Sequence, residues 1–436
     1  MIQSHASLSR YLQLATFLAL LAVPIAGLAQ DLPEGHPPIA HERTSDAQGP
    51  NSKSADSTDA EAKAAAPLLP PTSITHHTIK VAGVPLDYTA EAGTIPLPGA
   101  GGKTAANIFY VAYTREPKNA KRPITFVFNG GPGAAAAYLH LGGIGPRAVE
   151  VDAKGELQGP PPSLTDNPST WLDMTDLVFV DPVGTGYSRA GEAKNEEKFW
   201  GVEQDTDALT NFVRLYLIKS ARMLSPVFLM GESYGGFRAG SLARALQKSG
   251  ANSPSGIILI SPVLEFSLLY GEDYDPLSWA LGLPSLAAVN LESKGVTTRS
   301  ALASGLKEAE TFALSDYLVE LASGAETGGK AASGTVSRLT GLPLDVVERR
   351  QTRIPPSVFI KEFDRTNSQV LSRYDGSVSA PDPNPTSSWA NGPDPVLDAT
   401  VPLWTAAFVQ YAGSELGYKT DATYRLLNRD ARTKWD

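Results

Sequence analysis

The sequence predicts an α/β protein: a mostly parallel central sheet with helices on both faces. Three observations carry that prediction. Four short apolar runs, residues 124–128, 177–180, 227–230 and 257–260, are each bounded by turn residues and have the length of fully buried strands. The stretches between the second and third runs and after the third have helical spacing instead. Alternating strands and helices pair in parallel, so the glycine-rich turns after the first three runs gather at one edge of the sheet, where ligands of such folds sit.

Taken in order, the chain opens on a polar start closed by Arg10. An apolar run over residues 11–26 follows, broken by Gln13 and Thr16, with Gly27-Leu28-Ala29 behind it. The run is shorter than the roughly 18 residues that signal a bilayer span, and small residues stand at −3 and −1 of a cut after Ala29. Residues 1–29 therefore read as a secretory signal peptide, with an N-terminal membrane anchor as the alternative. Export to a periplasm or outside the cell is the expectation, with no membrane association after cleavage. Residues 30–71 are rich in Pro, Ala, Ser, Asp and Glu and hold no Phe, Trp or Tyr, the composition of a disordered linker. Ordered chain is expected from about Ile74, and residues 79–88 and 107–113 read as strands of an antiparallel flap.

The helix between the second and third runs is expected to be capped by Asp205, with Leu209, Phe212, Val213, Tyr216 and Leu217 on its apolar face. The helix after the third run carries Ala239, Leu242, Ala243 and Leu246 and stops at Gly250. Residues 72–262 form the N-terminal part of a core domain, 263–400 an inserted region, and 401–436 a return toward the core. The 436 residues hold 37 Lys and Arg against 46 Asp and Glu, a net charge of −9 without a basic block, which argues against nucleic acid as a partner. Zero cysteines exclude disulfides, a thiol nucleophile and thiolate metal sites, and no cofactor or metal is implied.

Three loops could carry chemistry. The third run enters Gly231-Glu232-Ser233-Tyr234-Gly235, a G-x-S-x-G match between strand and helix, which is the context of a nucleophile elbow. Ser233 is the candidate nucleophile, and the N–H of Tyr234 opens a helix where an oxyanion would be stabilised. The first run enters Asn129-Gly130-Gly131-Pro132-Gly133, a loop able to bring backbone N–H groups close to a ligand. The second enters Asp181-Pro182-Val183-Gly184-Thr185-Gly186-Tyr187-Ser188, with no Gly-Lys-Ser/Thr to make it a phosphate loop.

In this order and spacing, the three loops resemble the serine carboxypeptidases of peptidase family S10, in an exported, bacterial form. The resemblance is strong over residues 123–262, where Asn167-Pro168 and Trp171 also fit. It implies an α/β-hydrolase fold with a helical cap insertion, and a peptide or protein substrate with a free C-terminus. By resemblance Ser233 is the nucleophile, Gly131 and Tyr234 form the oxyanion hole, and Asn129, Gly130 and Glu232 bind the substrate's terminal carboxylate. The chain departs from the pattern in places. Ala134-Ala135-Ala136 stands for Cys-Ser-Ser, the Gln between Asp181 and Pro182 is missing, and Gly143 replaces a second carboxylate-binding Glu.

The triad is incomplete. An α/β-hydrolase orders Ser, then Asp or Glu, then His along the chain. Here the six histidines are His5, His36, His41, His76, His77 and His140, all before Ser233. The family's Gly-x-x-Asp strand end and closing Gly-His loop are absent, so the final strands of the fold are expected to be missing. Truncation of an active enzyme is the favoured explanation; a pseudoenzyme that binds peptides, recruitment of His140, and an esterase or acyltransferase on the same fold are the alternatives. Within 263–400, helical patches such as 311–321 alternate with Gly/Ser-rich stretches around 324–334. Residues 381–395 read as a surface loop, with Asp375 and Asp382 as solvated charges. Tyr270, Tyr274, Trp279 and Trp389 are candidates for a pocket wall or for core.

Overall fold

The computed structural model describes residues 69–436, apart from 153–156, 158, 160–161, 251, 272–273 and 325–329. Residues 1–29, expected to be a signal peptide, and nearly all of the expected linker at 30–71 lie outside the described residues. The central sheet is built from β1 (Ser73–Val81), β2 (Val84–Pro98), β3 (Thr104–Arg115), β4 (Ile124–Phe128), β7 (Asp176–Val180), β8 (Arg189–Ala190), β9 (Val227–Glu232) and β10 (Gly256–Ile260), while β5 (Arg147–Val149) and β6 (Leu164–Asp166) form a separate small ribbon. Its order is β1-β2-β3-β7-β4-β9-β10, with β8 on β3. The pairs β7/β4, β4/β9 and β9/β10 are parallel. The fold is that of an α/β-hydrolase. Strand β4 is flanked by β7 on one side and β9 on the other, so the chain order reverses there and the crevice outside its carboxyl end is the natural ligand position.

All five residues of β4 and of β7 are buried, as their unbroken apolar runs require. Strand β10 departs from that expectation: Ile257 and Leu259 are 43% and 44% exposed. It is the edge strand, and among the described residues nothing covers that face, so an apolar run here records composition rather than burial. The run 79–88 is not one strand. Ala82 and Gly83 take φ 50° and 81°, and Val81 pairs with Val84, so the chain reverses in a two-residue hairpin turn. Nor is the antiparallel part a separate flap, because β3 pairs with β7 and extends the same sheet.

Helix α1 (Val202–Lys219) buries Leu209, Phe212, Val213, Tyr216 and Leu217. Asp205 does not cap it. The helix starts from an extended Gly201, and Asp205 lies within the first turn and is buried. Helix α2 (Tyr234–Ser249) buries Ala239, Leu242, Ala243 and Leu246 and ends at Gly250 in the left-handed conformation. Beyond the sheet, α3 (Pro276–Ser293), α4 (Arg299–Ala313), α5 (Asp316–Ala322), α6 (Lys330–Thr340), α7 (Leu344–Arg349) and α8 (Pro356–Glu362) share a second core that includes Leu283, Val336, Val347 and Phe359. The helical patch at 311–321 is interrupted by Leu314 and Ser315, and the expected break near 324–334 is helical from Lys330.

Asp382 is not a solvated charge, since its side chain is 4% exposed and pairs with Lys361, itself buried. Asp375 instead accepts from its neighbour Ser377 in the loop. Tyr274 is fully exposed and Trp389 52% exposed, so neither belongs to core. Helix α9 (Leu397–Ser414) leads into a return segment that crosses two of the loops. Ala135 N–H donates to Leu426 O at 2.9 Å, Asn428 N–H to Gly133 O at 2.8 Å, and Gly186 bridges Arg425. No helix among the described residues is long and apolar enough to cross a membrane.

Candidate active site

Strand β9 ends at Glu232 and helix α2 begins at Tyr234, so Ser233 alone makes the strand-to-helix turn. Its backbone sits at φ 57°, ψ −122°, which is strained for any residue with a Cβ. Three hydrogen bonds impose it. Ser233 N–H donates to Ile260 O at 3.0 Å, and Ser233 O accepts from Gly236 N–H at 2.9 Å and Val263 N–H at 3.1 Å. The Ser233 hydroxyl is buried and has no hydrogen-bond partner among the described residues.

The loop after β4 lies directly against this turn. A Cβ on Gly130 would stand 2.7 Å from Glu232 O and 2.8 Å from Tyr234 N, so only glycine permits the approach. Gly131 follows with φ 109°, again a glycine conformation. The chain bearing Gly131 and the N-terminal N–H of α2 at Tyr234 are thereby neighbours.

Glu232 is fully buried. Its Oε2 accepts from Asn129 Nδ2 at 3.0 Å and from Gly130 N–H at 3.3 Å, while Oε1 has no partner among the described residues. Burial pushes the carboxyl up to about 8, and the two hydrogen bonds pull it only part of the way back. At neutral pH the group is therefore the uncharged acid, able to donate as well as accept. Asn129 Oδ1 accepts from Leu139 N–H at 3.0 Å, which fixes the amide that faces Glu232. Asn129, Gly130, Glu232, Ser233 and Tyr234 form one buried cluster, with Gly131 on the adjoining loop.

Arg238 belongs to this cluster although sequence reasoning did not single it out. It is 2% exposed, its Nε donates to Asp205 Oδ2 at 2.6 Å, and its Nη1 donates to Asn129 O at 2.7 Å. The guanidinium also stands 5.1 Å from the Tyr234 ring centroid. Burial holds the Asp205 carboxyl above its usual value, with Arg238 opposing. The available signal was an arginine in register with Leu242 and Leu246, four residues apart on the apolar stripe of a helix. On the other side of Tyr234, Trp435 donates its indole N–H to the Tyr234 hydroxyl at 2.9 Å.

Asp181, in the second loop, accepts from Ala136 N–H at 2.8 Å, and burial raises its carboxyl to about 7. Asn167 donates to Gly143 O and Gly145 O, both at 2.8 Å, bracing the turn where Gly143 stands. His140 does not join Ser233. It is 1% exposed, its Nε2 pairs with the Tyr113 hydroxyl at 2.6 Å, its ring stacks on Phe179 at 4.2 Å, and burial lowers its pKa to about 3. His77 stacks on Tyr88 in the antiparallel strands.

Part of the chain is similar to known proteins. Residues 86–261 match the family model described as serine carboxypeptidase. A "Carboxypeptidase Y homolog" of Arthroderma benhamiae is 30% identical over 158 residues, covering 36% of this chain and 29% of its own. "Serine carboxypeptidase-like 51" of Arabidopsis thaliana is 32% identical over 192 residues, with 42% and 37% covered. "Serine carboxypeptidase-like 46" of the same plant is 27% identical over 186 residues, with 41% and 37% covered. The chain thus spans well under half the length of these curated relatives. Over residues 86–261 the chain is therefore similar to the serine carboxypeptidase family.

Proposed function

We propose that this chain carries the nucleophile and the carboxylate-binding groups of a serine carboxypeptidase that releases C-terminal residues from peptides through an acyl-enzyme on Ser233. One observation carries the reading: at a strained turn, a hydroxyl with no partner among the described residues follows directly on a buried carboxyl that is hydrogen-bonded by Asn129 and Gly130. In this reading Ser233 Oγ attacks the peptide carbonyl, and the N–H groups of Gly131 and Tyr234 receive the oxyanion. Asn129, Gly130 and Glu232 hold the terminal carboxylate. The Ser233 proton needs a base. The sequence has no histidine after His140, and the His140 ring is committed to Tyr113 and Phe179, so we propose that the 436-residue chain is inactive by itself.

That Ser233 has no base against its hydroxyl among the described residues favours a second reading, a protein that binds peptides without turning them over. An esterase or acyltransferase on the same fold would not need the carboxylate site. The apolar run over residues 11–26 supports export to a periplasm or outside the cell. Calorimetry with a blocked dipeptide and its C-terminal amide tests the central claim. The acid is expected to bind more tightly; equal affinity refutes the carboxypeptidase reading and leaves ester or acyl-transfer chemistry.

A further inference from the structure

The candidate site is closed in this structure. Asn129, Glu232 and Ser233 are 0% exposed and Tyr234 is 3% exposed, so a peptide cannot reach the Ser233 hydroxyl unless something moves. Two segments stand against the cluster. Residues 263–269 are tied to the elbow itself, since Val263 N–H donates to Ser233 O and both Val263 and Leu269 pack with Tyr234. The other is the return segment from Leu427 on, which reaches both chains that carry the candidate oxyanion donors. Ala134 bridges Leu427, and Asn428 N–H donates to Gly133 O at 2.8 Å, just past Gly131. The approach is so close that a Cβ on Gly133 would meet Asn428 O at 2.5 Å and Ala431 Cβ at 3.5 Å. Helix α10 (Arg429–Thr433) then carries the chain to Trp435. The Trp435 ring lies edge-on to Tyr234, with centroids 5.3 Å apart, and its N–H donates to the Tyr234 hydroxyl.

The two ends of this segment are held differently. Residues 428–431 are the anchor: besides the main-chain bond to Gly133, the Asn428 side chain donates to Gly184 O at 2.9 Å, Arg429 pairs with Asp398, and Ala431 is buried. Residues 432–436 form an arm with fewer holds on the rest of the protein. Trp435 sits on Tyr234, Val202 N–H donates to Asp436 O at 3.0 Å, and Asp436 N–H donates to Trp200 O at 3.2 Å. Lys434 pairs with Glu197, but their side chains are 51% and 59% exposed, and exposed pairs add little. Segments with few buried contacts open locally, without global unfolding. We propose that residues 432–436 are an autoinhibitory strap, latched by Trp435 on Tyr234, which has to swing away from its anchor before a substrate reaches Ser233. The strap regulates the site of the proposed function, and the proposal rests on Ser233 being its nucleophile.

The chain has no cysteine, so Ser233→Cys introduces a single thiol whose alkylation reads access to the site directly. The test is the rate of reaction of the full chain with iodoacetamide at about pH 8, where a thiol is partly ionised. Tyr274→Cys replaces a fully exposed side chain and gives the rate of an open thiol. Ser233→Cys should react far more slowly. Adding Trp435→Ala removes a hydrogen bond and an aromatic contact from the latch and should speed the reaction about tenfold or more. The rate should rise with urea less steeply than global unfolding does, because release of the arm exposes little surface. Where Trp435→Ala lowers the melting temperature, Trp435→Phe keeps a ring against Tyr234, loses the N–H, and should still react faster than its parent. Rates unchanged by either substitution, a parent thiol as fast as Tyr274→Cys, or a urea slope equal to that of global unfolding overturns the strap. Each of those results leaves the carboxypeptidase reading in place, because that reading stands or falls on binding of the acid against the amide.

Discussion

Replacing Glu232 by glutamine isolates the cost of keeping a carboxyl buried beside the candidate nucleophile. In the unfolded chain Glu232 titrates near the ordinary 4.5, and in the folded protein burial moves it to about 8. Between these values the unfolded state has released the proton while the folded state still holds it. Stability therefore falls as pH rises through this window, and the loss is complete once the folded group also ionises. At about 1.36 kcal/mol per pH unit, the loss amounts to roughly 3–4 kcal/mol between pH 5 and pH 8.

Glutamine cannot ionise, and its carbonyl can accept from Asn129 Nδ2 and Gly130 N–H as Glu232 Oε2 does. Its amide N–H₂ then takes the place of the unpartnered Oε1, a constant cost of about 1–3 kcal/mol that does not vary with pH. Asp181 contributes a similar slope, but equally in both proteins, and cancels from the difference. Urea unfolding of wild type and Glu232→Gln at pH 5, 6, 7 and 8 is the assay. The variant should gain steadily on wild type as pH rises. A stability difference that stays constant from pH 5 to 8 would mean that Glu232 ionises alike in both states, and the raised pKa of the acid beside Ser233 would have to be abandoned.

Three further outcomes are expected. Peptide hydrolysis by the 436-residue chain should be indistinguishable from that of Ser233→Ala, because loss of a triad's base removes about 10⁶ in turnover; a carboxypeptidase-like rate abolished by the substitution would reveal a base elsewhere, with His140→Ala as the next variant. Arg238→Met strands the buried Asp205 carboxylate and the Asn129 carbonyl, so urea unfolding should show a loss of about 3–5 kcal/mol, and a loss below about 1 kcal/mol would show the ion pair to be dispensable. Ile257→Lys with Leu259→Lys charges the open face of the edge strand and should reduce concentration-dependent light scattering while shifting stability by no more than about 0.5 kcal/mol; unchanged scattering would show that this edge does not drive association.

What the sequence made legible was the local grammar. The run at 124–128 coincides with β4, and both helical stripes are buried as spaced, because periodicity depends only on neighbours along one element. The elbow at Ser233 was readable for the same reason: strand, small residues and helix are contiguous. Where a residue's role depended on a remote partner, local rules misassigned it. Asp205 satisfies the pattern of a helix cap, but its carboxylate serves Arg238, 33 residues away. Asp382 sits in a proline-rich loop, yet Lys361 draws it inside. The run 257–260 was apolar enough for a covered strand, and only the sheet order reveals that it lies at an edge.

The charge state of the site is the clearest case of information held between elements rather than within them. The motif Gly231-Glu232-Ser233 names an acid next to a nucleophile, but a carboxyl on a wet turn would be ionised at neutral pH. Burial pushes it toward the neutral form, and the hydrogen bond from Asn129, 103 residues earlier, offsets that only in part, while Oε1 has no partner among the described residues. Asn129 is in turn fixed by Leu139 N–H and by Arg238, one from the loop it begins and one from the helix that Ser233 begins. The elbow and the loop after β4 thus set each other's electrostatics. On the proposed reading, Arg238→Met should therefore weaken binding of a blocked dipeptide acid in calorimetry without touching either a substrate atom or the motif itself, and unchanged affinity would refute that coupling.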